Sequence, residues 1–377
     1  MKIIHVVPYI KNLSAGTTHA VISICNSLVE HGCEIILYTL SPIPNLKYKF
    51  KIKSFKPSIF PHKALGRCPE MYNALLKDSK DADIIHSHML WMSPSYYAGL
   101  VAKQNNIKYI CSPHGSLSKW ALSRSVWKKQ ISMILGQNAA LKNVDYFHIT
   151  AEHERQEIID AGFGDKFFLI KNGIDIPKNL IKRKNSFKTA VFISRIHPKK
   201  GVENLIQAWG KLFFKYPNWK LKIIGPYDSK SYLRFLEEII KKEKIKNIEF
   251  LGEITGPKKD SILMNSNLFV FPTYSENFGL VVGEALACKI PVICSKGAPW
   301  SGLITNKAGW WIDIGVEPLE ESLMIAMNTD SKILNEMGEN GRNWMKKDFS
   351  WDNIGKDFKN SYEHILGMSK NDNLFIK

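Results

Sequence analysis

Short apolar runs alternate with amphipathic segments along most of the chain. The apolar runs predict strands at residues 3–8, 34–40, 82–88, 109–113, 145–150, 167–171, 189–194, 219–224, 248–251, 266–271 and 291–294. Apolar positions at helical spacing predict helices at residues 17–31, 152–161, 201–216, 231–243 and 279–287. Strands that alternate with helices are typical of parallel, doubly wound sheets, so the pattern predicts an α/β fold.

The length of the chain and the spacing of its elements predict two domains. The 377 residues are enough for two hydrophobic cores, and the polar, basic stretch from Pro177 to Lys188 is the expected linker. We expect Rossmann-like domains at residues 1–178 and 185–351 that face each other across a cleft, where ligands of such sheets bind. The amphipathic C-terminal segment, about residues 352–377, can pack back on either domain, and we assign it to the first.

Composition excludes several classes of protein. No run approaches 18 uninterrupted apolar residues, so no transmembrane helix is expected. His5 and Pro8 interrupt the apolar start of the chain, which fits a core strand better than a signal peptide. The six cysteines show neither a C-x-x-C pair nor metal-ligand spacing, so we expect the buried, reduced thiols of a cytoplasmic protein.

The formal net charge of +17 is distributed unevenly along the chain. Residues 35–69 and residues 84–144 contain no Asp or Glu. Their cations include Lys47, Lys49, Lys51, Lys53, Lys56, Lys63, Arg67, Lys103, Lys108, Lys119, Arg124, Lys128, Lys129 and Lys142. A basic face indicates an anionic partner such as a nucleic acid, an anionic lipid or a phosphorylated substrate. The alternative is a set of scattered, solvated lysines.

Two carboxylates, Glu276 and Glu284, stand eight positions apart around the sequence Asn277-Phe278-Gly279. A buried strand precedes the first, and the second lies in a predicted helix. The unpaired N–H groups and the dipole at a helix N-terminus attract an anion, while carboxylates suit hydroxyl groups on either side of it. A phosphate flanked by hydroxyls is typical of a nucleotide sugar. Ordinary capping and a solvated helix face are the alternatives for the two glutamates.

Other candidate groups follow predicted strands. Arg195 and Lys200 share one loop between a strand and a helix, where a diphosphate is expected, although a solvated loop would look the same. Gly16 precedes a helix and permits close approach to a ligand. His114 follows a strand end, but a lone histidine is more often structural. The Asp81-Ala82-Asp83 pair lies at the wrong end of its strand for the cleft, so we predict no metal site.

Several motifs occur together, in order, over nearly the whole chain. They are Asp83-Ile84-Ile85-His86-Ser87-His88, His114-Gly115, Asn172-Gly173-Ile174-Asp175, Arg195-x4-Lys200-Gly201, and Glu276-x7-Glu284 with Ala285-Leu286-Ala287-Cys288 and Pro291-Val292-Ile293. The combination resembles the retaining glycosyltransferases of family 4, the group 1 transferases of the GT-B fold. The run Gly297–Trp300, with Gly309-Trp310-Trp311 after it, is similar to members that build bacterial surface polysaccharides.

The resemblance implies a role for each matching residue. Arg195 and Lys200 bind the donor diphosphate and stabilise the leaving group, and Glu276 binds hydroxyls of the donor sugar. The N–H groups of Phe278, Gly279 and Leu280 meet phosphate and sugar oxygens. The remaining roles are ribose binding by Glu284, closure of the first loop at Gly16, sugar contact by His114, and base binding near Gly252.

The resemblance also implies the chemistry. We expect transfer of a hexose-type sugar, with retained configuration, by front-face attack of the acceptor hydroxyl. No metal and no other cofactor is expected, because Arg195, Lys200 and helix N–H groups supply the positive charge. We favour a UDP-sugar over a GDP-sugar as donor. The sequence departs from the family at Ala15-Gly16, at Lys289 and at Gly297-Ala298-Pro299-Trp300, and the last departure puts the identity of the sugar in doubt.

The expected acceptor is a membrane-associated glycolipid of lipopolysaccharide, O-antigen or capsule biosynthesis, bound by the first domain. Residues 47–53 and 120–129 mix cations with apolar side chains, which suits an anionic membrane surface on the inner face of the cytoplasmic membrane. A core helix is the alternative for residues 120–127. A GT-B enzyme with a soluble acceptor or a glucan product, or a nucleotide-sugar epimerase, is the second reading. A nucleic-acid-binding protein is the remote one, because no nucleic-acid-binding motif occurs.

Overall fold

The computed structural model of the chain describes residues 1–11, 16–58, 65–178, 180, 187–369 and 373–376. The chain divides into two compact units, Met1–Gly173 with Trp351–Lys377, and Ile174–Ser350. The first unit therefore ends at Gly173, five residues before the boundary set from the sequence at 178, and the second ends at Ser350. Most of the predicted linker, residue 179 and residues 181–186, lies outside the described residues.

Strands and helices alternate through both units. In the described part of the chain the strands are β1 Lys2–Tyr9, β2 Glu34–Leu40, β3 Lys51–Phe55, β4 Ile84–His88, β5 Lys108–Ser112, β6 Tyr146–Ile149, β7 Phe167–Leu169, β8 Lys188–Ile193, β9 Trp219–Ile224, β10 Ile248–Phe250, β11 Leu268–Phe271, β12 Val292–Ser295, β13 Gly309–Ile312 and β14 Phe375–Ile376. The α-helices are α1 Gly16–Glu30, α2 Pro69–Asp78, α3 Ser93–Asn105, α4 Lys119–Leu122, α5 Val126–Ser132, α6 Asn138–Lys142, α7 Glu152–Asp160, α8 Val202–Gly210, α9 Lys230–Lys242, α10 Gly256–Met264, α11 Leu280–Ala287, α12 Gly302–Thr305, α13 Val316–Asn328, α14 Ser331–Asp348 and α15 Trp351–Ile365.

The first unit contains a sheet with the strand order β14-β7-β6-β5-β4-β1-β2-β3. All neighbouring strands are parallel except β14, which pairs antiparallel with β7. Six successive residues of β1, from Ile3 to Pro8, are buried, as expected for a central strand covered on both faces. β2 and β3 lie on one side of β1, and β4 to β7 lie on the other, so the strand order reverses between β1 and β4.

The second unit contains a parallel sheet with the order β10-β9-β8-β11-β12-β13. Its strand order reverses between β8 and β11, because β9 and β10 lie on one side of β8 while β11 to β13 lie on the other. Loops that follow two strands on either side of such a reversal lead to opposite faces of the sheet and leave a crevice between them. Both units are therefore doubly wound α/β domains, as the sequence pattern predicts.

The sequence pattern located most strands but missed one at the edge of the first sheet. β2 and β9 have the predicted bounds, whereas the sequence pattern indicates only a basic segment where β3 lies. Its lysines alternate with apolar residues because an edge strand is half exposed. The predicted helix 201–216 also ends early, since α8 stops at Gly210 and turns follow it.

The C-terminal helix α15 belongs to the first unit and packs on α1. Ser27 Oγ donates a hydrogen bond to the Trp351 carbonyl at 2.6 Å, and Lys359 Nζ donates to the His31 carbonyl at 3.0 Å. Gly355 faces Ser27, and a Cβ atom at this glycine would collide with the Ser27 hydroxyl. The two helices therefore approach as closely as glycine permits.

The six cysteines are all buried and free, so the prediction of unpaired core thiols is confirmed. Burial raises the pKa of the Cys111 thiol to about 12, which keeps it protonated and unreactive at neutral pH. Among the described helices, none combines the length and the apolar character that a membrane crossing needs.

We predict that Gly355→Ala destabilises the first unit although alanine is the better helix former. Overpacking against Ser27 costs about 1–3 kcal/mol, and the gain in helix propensity is about 1 kcal/mol. Urea unfolding measures the net loss. The control is Lys356→Ala, at the next and exposed position of the same helix, where the change should stay within about 0.5 kcal/mol. Equal or greater stability of Gly355→Ala would contradict close packing of α1 and α15.

Candidate functional site

Two loops meet at the reversal of strand order in the second unit. One follows β8 and runs from Ser194 to Gly201, and the other follows β11 and leads to α11. The Lys199 carbonyl accepts hydrogen bonds from the Tyr274 N–H at 2.9 Å and from the Thr273 hydroxyl at 3.1 Å. Gly201 has a φ of +69°, and a Cβ there would collide with the Pro272 carbonyl. The two loops are thus fixed against each other by one backbone and one side-chain hydrogen bond and by a contact that only glycine allows.

The loops bring the predicted charged groups together. Lys200 Nζ forms an ion pair with Glu276 Oε2, and their side chains are 13% and 21% exposed. The Lys200 ammonium also lies 5.5 Å from the centre of the Phe271 ring. Arg195 is more open, at 52% exposure, and its guanidinium lies 3.5 Å from a carboxylate oxygen of Asp228. The site therefore presents one sheltered ion pair and one exposed guanidinium.

The start of α11 lies beside this ion pair. Gly279 caps the helix with a φ of +82°, a left-handed conformation that favours glycine. The Glu276 N–H donates to the Gly297 carbonyl at 2.7 Å, and the Phe278 carbonyl accepts from the Trp300 indole at 2.6 Å. The first N–H groups of a helix have no partner within it, so those of α11 can receive an anion.

Glu284 lies one turn into α11 and pairs with a residue that the sequence analysis missed. Lys259 Nζ, on α10, is 2.8 Å from Glu284 Oε2, and both side chains are mostly buried. Burial raises the pKa of the neighbouring Asp260, and the charge of Glu284 adds to this effect. Lys259 carried no motif in the sequence, because its partner stands 25 positions away. Both glutamates of the Glu276-x7-Glu284 motif are thus paired with a lysine.

The departure at residues 297–300 has a structural explanation. Trp300 is fully buried, and its ring stacks on Phe349 at 5.5 Å and contacts Phe278 at 5.1 Å. Ala298 is also buried. The tryptophan therefore supports the turn before α11 from the core, so the expectation that this departure bears directly on the bound sugar finds no side-chain support.

In the first unit, His114 follows β5 at the carboxyl edge of the sheet. Its φ is +52°, and its side chain is half-buried. The buried carboxylate of Glu154, the third residue of α7, accepts hydrogen bonds from the Gly115 N–H at 2.7 Å and the Thr150 N–H at 3.0 Å. Glu154 therefore fixes the turn that carries His114. The sequence analysis missed it, although an acid at the third position of a helix is a capping signal.

His114 is not a lone histidine. Residues two apart in a strand share a face, and this period together with the strand register places His5, His86, His88, Ser112 and His148 on one face of β1, β4, β5 and β6. His114 follows β5, and its ring stacks on His88 at 5.4 Å. Rings of His86 and His88 stack at 4.3 Å, and α15 covers them through Phe358 and Tyr362. The sequence places these histidines in or next to predicted strands, but only the pairing of the strands shows that they lie side by side.

One row of hydrogen bonds within this cluster has a defined direction. The Ile170 carbonyl can only accept, so His148 Nε2 donates to it at 2.9 Å, and His148 Nδ1 accepts from the Ser112 hydroxyl at 2.7 Å. Ser112 then accepts from His86 Nε2 at 2.6 Å. His86 Nδ1 in turn accepts from the Tyr362 hydroxyl at 2.7 Å.

Three of these imidazoles, His5, His86 and His88, lie close enough together to hold a metal ion. The hydrogen bonds argue for a different arrangement. Both ring nitrogens of His86 already have hydroxyl partners, and His5 and His88 bond to each other at 2.9 Å. No carboxylate belongs to the group to balance a cation. The geometry favours neutral, hydrogen-bonded rings, and the prediction that activity needs no metal stays a prediction.

The other sequence-based candidates are placed as follows. Gly16 is exposed and begins α1, while Ser14 and Ala15 lie outside the described residues. Asp81 and Asp83 both bind Lys2 at the amino edge of the sheet. Lys63 lies outside the described residues. Of the other cations of the basic stretches, Lys49, Lys51, Lys53 and Lys108 pair with Glu30, Glu34, Asp78 and Asp145 respectively. Acids from elsewhere in the sequence thus neutralise part of the basic face.

The segment from Lys119 to Leu135 contains the remaining unusual surface. Its apolar side chains are exposed, with Ile134 at 84% and Trp127 at 60%. Arg124 lies over the Trp120 ring and Lys128 over the Trp127 ring, at 5.2 and 5.4 Å. The alternative that residues 120–127 form a core helix is therefore wrong. We call residues 119–135 the basic–apolar segment.

Two family models match the chain. The one described as "Glycosyltransferase Family 4" matches residues 15–178, and the one described as "Glycosyl transferases group 1" matches residues 175–344. Together they span almost all of both units. The chain belongs to the group 1, family 4 glycosyltransferases.

Relatives and solved structures agree with this membership. One relative is a GDP-mannose-dependent phosphatidylinositol monomannoside mannosyltransferase of Corynebacterium glutamicum. The two sequences are 26% identical over 70% of this chain and 72% of the relative. The fold of this chain is similar to HepE of Anabaena in complex with UDP and glucose, at 17% identity, with a TM-score of 0.75 over 97% of this chain and all of that one. It is also similar to WaaG, a glycosyltransferase involved in lipopolysaccharide biosynthesis, at 16% identity, with a TM-score of 0.70 over 97% of this chain and all of that one. The GT-B fold is thereby shown.

We predict that acid destabilises the first unit of the glycosyltransferase more than the second. Burial lowers the pKa of His5 to about 3 and that of His148 to about 4, and it lowers those of His86 and His88 well below the ordinary value. An unfolded imidazole binds a proton near pH 6.5. The unfolded chain therefore binds more protons below pH 6.5, and the free energy of unfolding falls there, by up to about 1.4 kcal/mol per pH unit for each histidine.

The second unit serves as the internal control, since His197 is the one histidine between residues 174 and 350. Urea unfolding at about pH 7.5 and about pH 5.5 can be read by a hydrogen-exchange pulse at one fixed pH, followed by peptide mass spectrometry. We expect the midpoint of the first unit to drop clearly more than that of the second. Equal shifts in the two units would contradict neutral burial of the histidine cluster.

Proposed function

We propose that this glycosyltransferase moves a hexose-type sugar from a nucleotide-diphosphate sugar, with UDP favoured as the nucleotide, to a hydroxyl of a membrane-associated glycolipid. The transfer retains the anomeric configuration and uses no metal. The product belongs to lipopolysaccharide, O-antigen or capsule biosynthesis, and the enzyme works on the inner face of the cytoplasmic membrane.

The observation that carries the proposal is the group of charges at the reversal of strand order in the second unit. Arg195, the Lys200–Glu276 pair and the start of α11 lie on two loops that are hydrogen-bonded to each other. A diphosphate matches the cations and the helix N–H groups, and sugar hydroxyls match the carboxylates. These groups therefore suit both the diphosphate and the sugar of a nucleotide sugar.

The same charges suit the chemical step. Breaking the sugar–phosphate bond leaves a negative charge on the diphosphate, which Arg195, Lys200 and the N–H groups of Phe278, Gly279 and Leu280 would stabilise. Because these groups are held in place before the reaction, they need little reorganisation as the charge develops. This is the physical reason for proposing a reaction without a metal.

Glu276 is proposed to bind the donor sugar rather than to attack it. Its carboxylate is held by Lys200, so one oxygen is engaged and the other is available to sugar hydroxyls. A carboxylate in an ion pair is a poor nucleophile, which favours front-face attack by the acceptor hydroxyl, with the leaving phosphate taking the proton. Glu284 is proposed to bind the ribose, Gly16 to let the first loop close, and His114 to contact the sugar.

The choice of UDP draws support from a structural neighbour. HepE of Anabaena was solved with UDP and glucose, whereas the related mannosyltransferase of Corynebacterium glutamicum is GDP-mannose-dependent. Both nucleotides therefore belong in the same binding screen.

We predict that Arg195→Ala and Glu276→Ala act on different parts of the donor. Arg195→Ala should weaken the binding of both UDP and UDP-sugar by about 10- to 100-fold, because a charge-assisted hydrogen bond is lost. Glu276→Ala should leave the binding of UDP unchanged or tighter, because it removes the negative partner of Lys200, and should slow donor turnover by about 100-fold. Calorimetry and donor hydrolysis in EDTA measure these effects across UDP-, GDP- and ADP-sugars.

The matched control is Lys211→Ala, which removes an exposed lysine of the same unit from its ion pair with Glu320. It should change neither binding nor turnover. If no donor binds, or if binding is indifferent to both site variants, the proposed donor site is wrong. Preference for a GDP-sugar would correct the nucleotide alone.

The proposed membrane contact rests on the basic–apolar segment. Lys119, Arg124 and Lys128 have no acidic partner within the described part of the chain, while Trp127 and Ile134 project apolar surface beside them. Cations attract anionic headgroups and aromatic rings favour the interface. The names of WaaG and of the phosphatidylinositol mannosyltransferase are consistent with an acceptor presented at a membrane.

We predict that the protein binds anionic vesicles at low salt and that Lys128→Glu weakens this binding by about 30-fold. Each charge near an anionic surface contributes about 1 kcal/mol, and the substitution changes two charges. Co-sedimentation with phosphatidylglycerol vesicles measures the effect, with phosphatidylcholine vesicles as the neutral comparison. Lys103→Glu is the control, because this exposed lysine lies in the last turn of α3, at the opposite edge of the sheet. Absence of binding at low salt, or an equal effect of Lys103→Glu, would rule out this segment as the contact.

A soluble acceptor or a glucan product is the second candidate. The partial neutralisation of the basic stretches by Glu30, Glu34, Asp78 and Asp145 is the observation in its favour. Normal transfer to a soluble oligosaccharide without vesicle binding would select it.

A further inference from the structure

A row of three imidazoles connects His114 to the central strand of the first sheet. His114 Nε2 lies 3.1 Å from His88 Nδ1, and His88 Nε2 lies 2.9 Å from His5 Nδ1. His5 and His88 are completely buried, while His114 is half-buried. The row therefore begins inside the core and reaches the surface at the candidate site residue. It is separate from the row that runs from Tyr362 through His86 and Ser112 to His148.

Only two directions are possible for the hydrogen bonds along this row. Burial keeps all three rings neutral by lowering the pKa of His5 and of His114 to about 3 and that of His88 well below the ordinary value. A neutral imidazole has one N–H donor and one acceptor nitrogen. If His5 donates to His88, then His88 donates to His114, and His114 carries its proton on Nδ1. If every bond is reversed, His114 carries its proton on Nε2.

The buried end of the row decides between the two directions. His5 Nε2 is buried and has no hydrogen-bond partner among the described residues. In the first direction this nitrogen is a lone pair, and in the second it is an N–H group. His5 shares its face of β1 with Ile3 and Val7, which belong to a buried apolar core. The C–H groups of such a core interact weakly with a lone pair but offer nothing to an N–H donor. Buried N–H groups without a partner are rare in proteins.

We propose that His5 and His88 hold His114 in the tautomer that carries its proton on Nδ1, so that His114 presents a neutral hydrogen-bond donor at the carboxyl edge of the sheet. His5 and His88 are then positioning residues that never touch the ligand. That the ligand is a sugar hydroxyl rests on the proposed function, whereas the tautomer does not. A neutral donor suits this place, because the anomeric carbon becomes positive during transfer and an imidazolium would oppose it.

The first test needs no substrate. Long-range proton–nitrogen NMR spectra of the full chain with 15N-labelled histidine distinguish the two neutral tautomers by their nitrogen shifts, and His114→Gln assigns the ring. At neutral pH we expect the His114 proton on Nδ1. A proton on Nε2 of His114, or a charged ring, would overturn the proposal.

The second test removes the buried end of the row. In His5→Leu nothing orients His88, and we expect both tautomers of His114 together with a fall in kcat of about fivefold, with little change in KM for the donor. In His5→Asn the side-chain amide can replace Nδ1 as a donor to His88, so we expect the single tautomer and most of kcat to return. Unfolding midpoints of both variants show whether the first unit stays folded.

The two variants separate a positioning role from a merely structural one. An unchanged His114 tautomer in folded His5→Leu, or a loss of kcat that His5→Asn does not relieve, would overturn the proposal. If the unmodified protein binds no nucleotide sugar, the proposed function fails, while the spectra still decide the tautomer.

Discussion

A parallel sheet brings the carboxyl ends of all its strands to one edge, and the rest of this molecule depends on that constraint. In the second unit the loops after β8 and β11 diverge at this edge because the strand order reverses between them. Lys200 and Glu276 come from sequence positions 76 apart, and they meet because their strands are neighbours. The Lys200–Glu276 pair can be partly buried because the two fixed loops hold the opposite charges together. An isolated charge at the same place would lower the free energy of unfolding. The same constraint in the first unit aligns four strands so that their histidines share one face.

Sequence reasoning succeeded where one strand or one loop carries the signal. The alternation of elements predicted the doubly wound sheets, and the spacing of Arg195, Lys200, Glu276 and Glu284 around strand ends and a helix start made them candidates. The structure places the first three on two loops that are hydrogen-bonded to each other, while their roles stay predictions. Sequence reasoning failed where a residue's partner is distant in the sequence and lies on another element. Lys259 carries no local pattern, because only the fold brings it near Glu284. Glu154 carries a local capping signal, but its hydrogen bond from the Gly115 N–H depends on the fold. β3 was missed because an edge strand is half solvated, and its alternating lysines look like any basic surface.

The histidines show the same limit from another side. Each of His5, His86, His88 and His148 is unremarkable in its own strand, and only the register of β1, β4, β5 and β6 turns them into two hydrogen-bonded rows. Trp300 is the converse example. The sequence departs from the family pattern at this position, and burial assigns the tryptophan to the core, where its indole N–H fixes the Phe278 carbonyl. Local sequence therefore indicates which residues have chemistry to offer, while the register and burial determine which of them face a ligand.

The use of α15 by the first unit has a consequence for synthesis of the protein. Tyr362 donates to His86 at the heart of the first sheet, and α15 covers the face that carries the histidines. On the ribosome these contacts form only after the whole of the second unit has been made, since α15 follows it in the chain. Until α15 has been made, the histidines on this face of β1, β4, β5 and β6 lack the helix that covers them in the folded protein. The second unit is contiguous from Ile174 to Ser350, so its core needs no later segment of the chain, whereas the core of the first unit is complete only once α15 has been made.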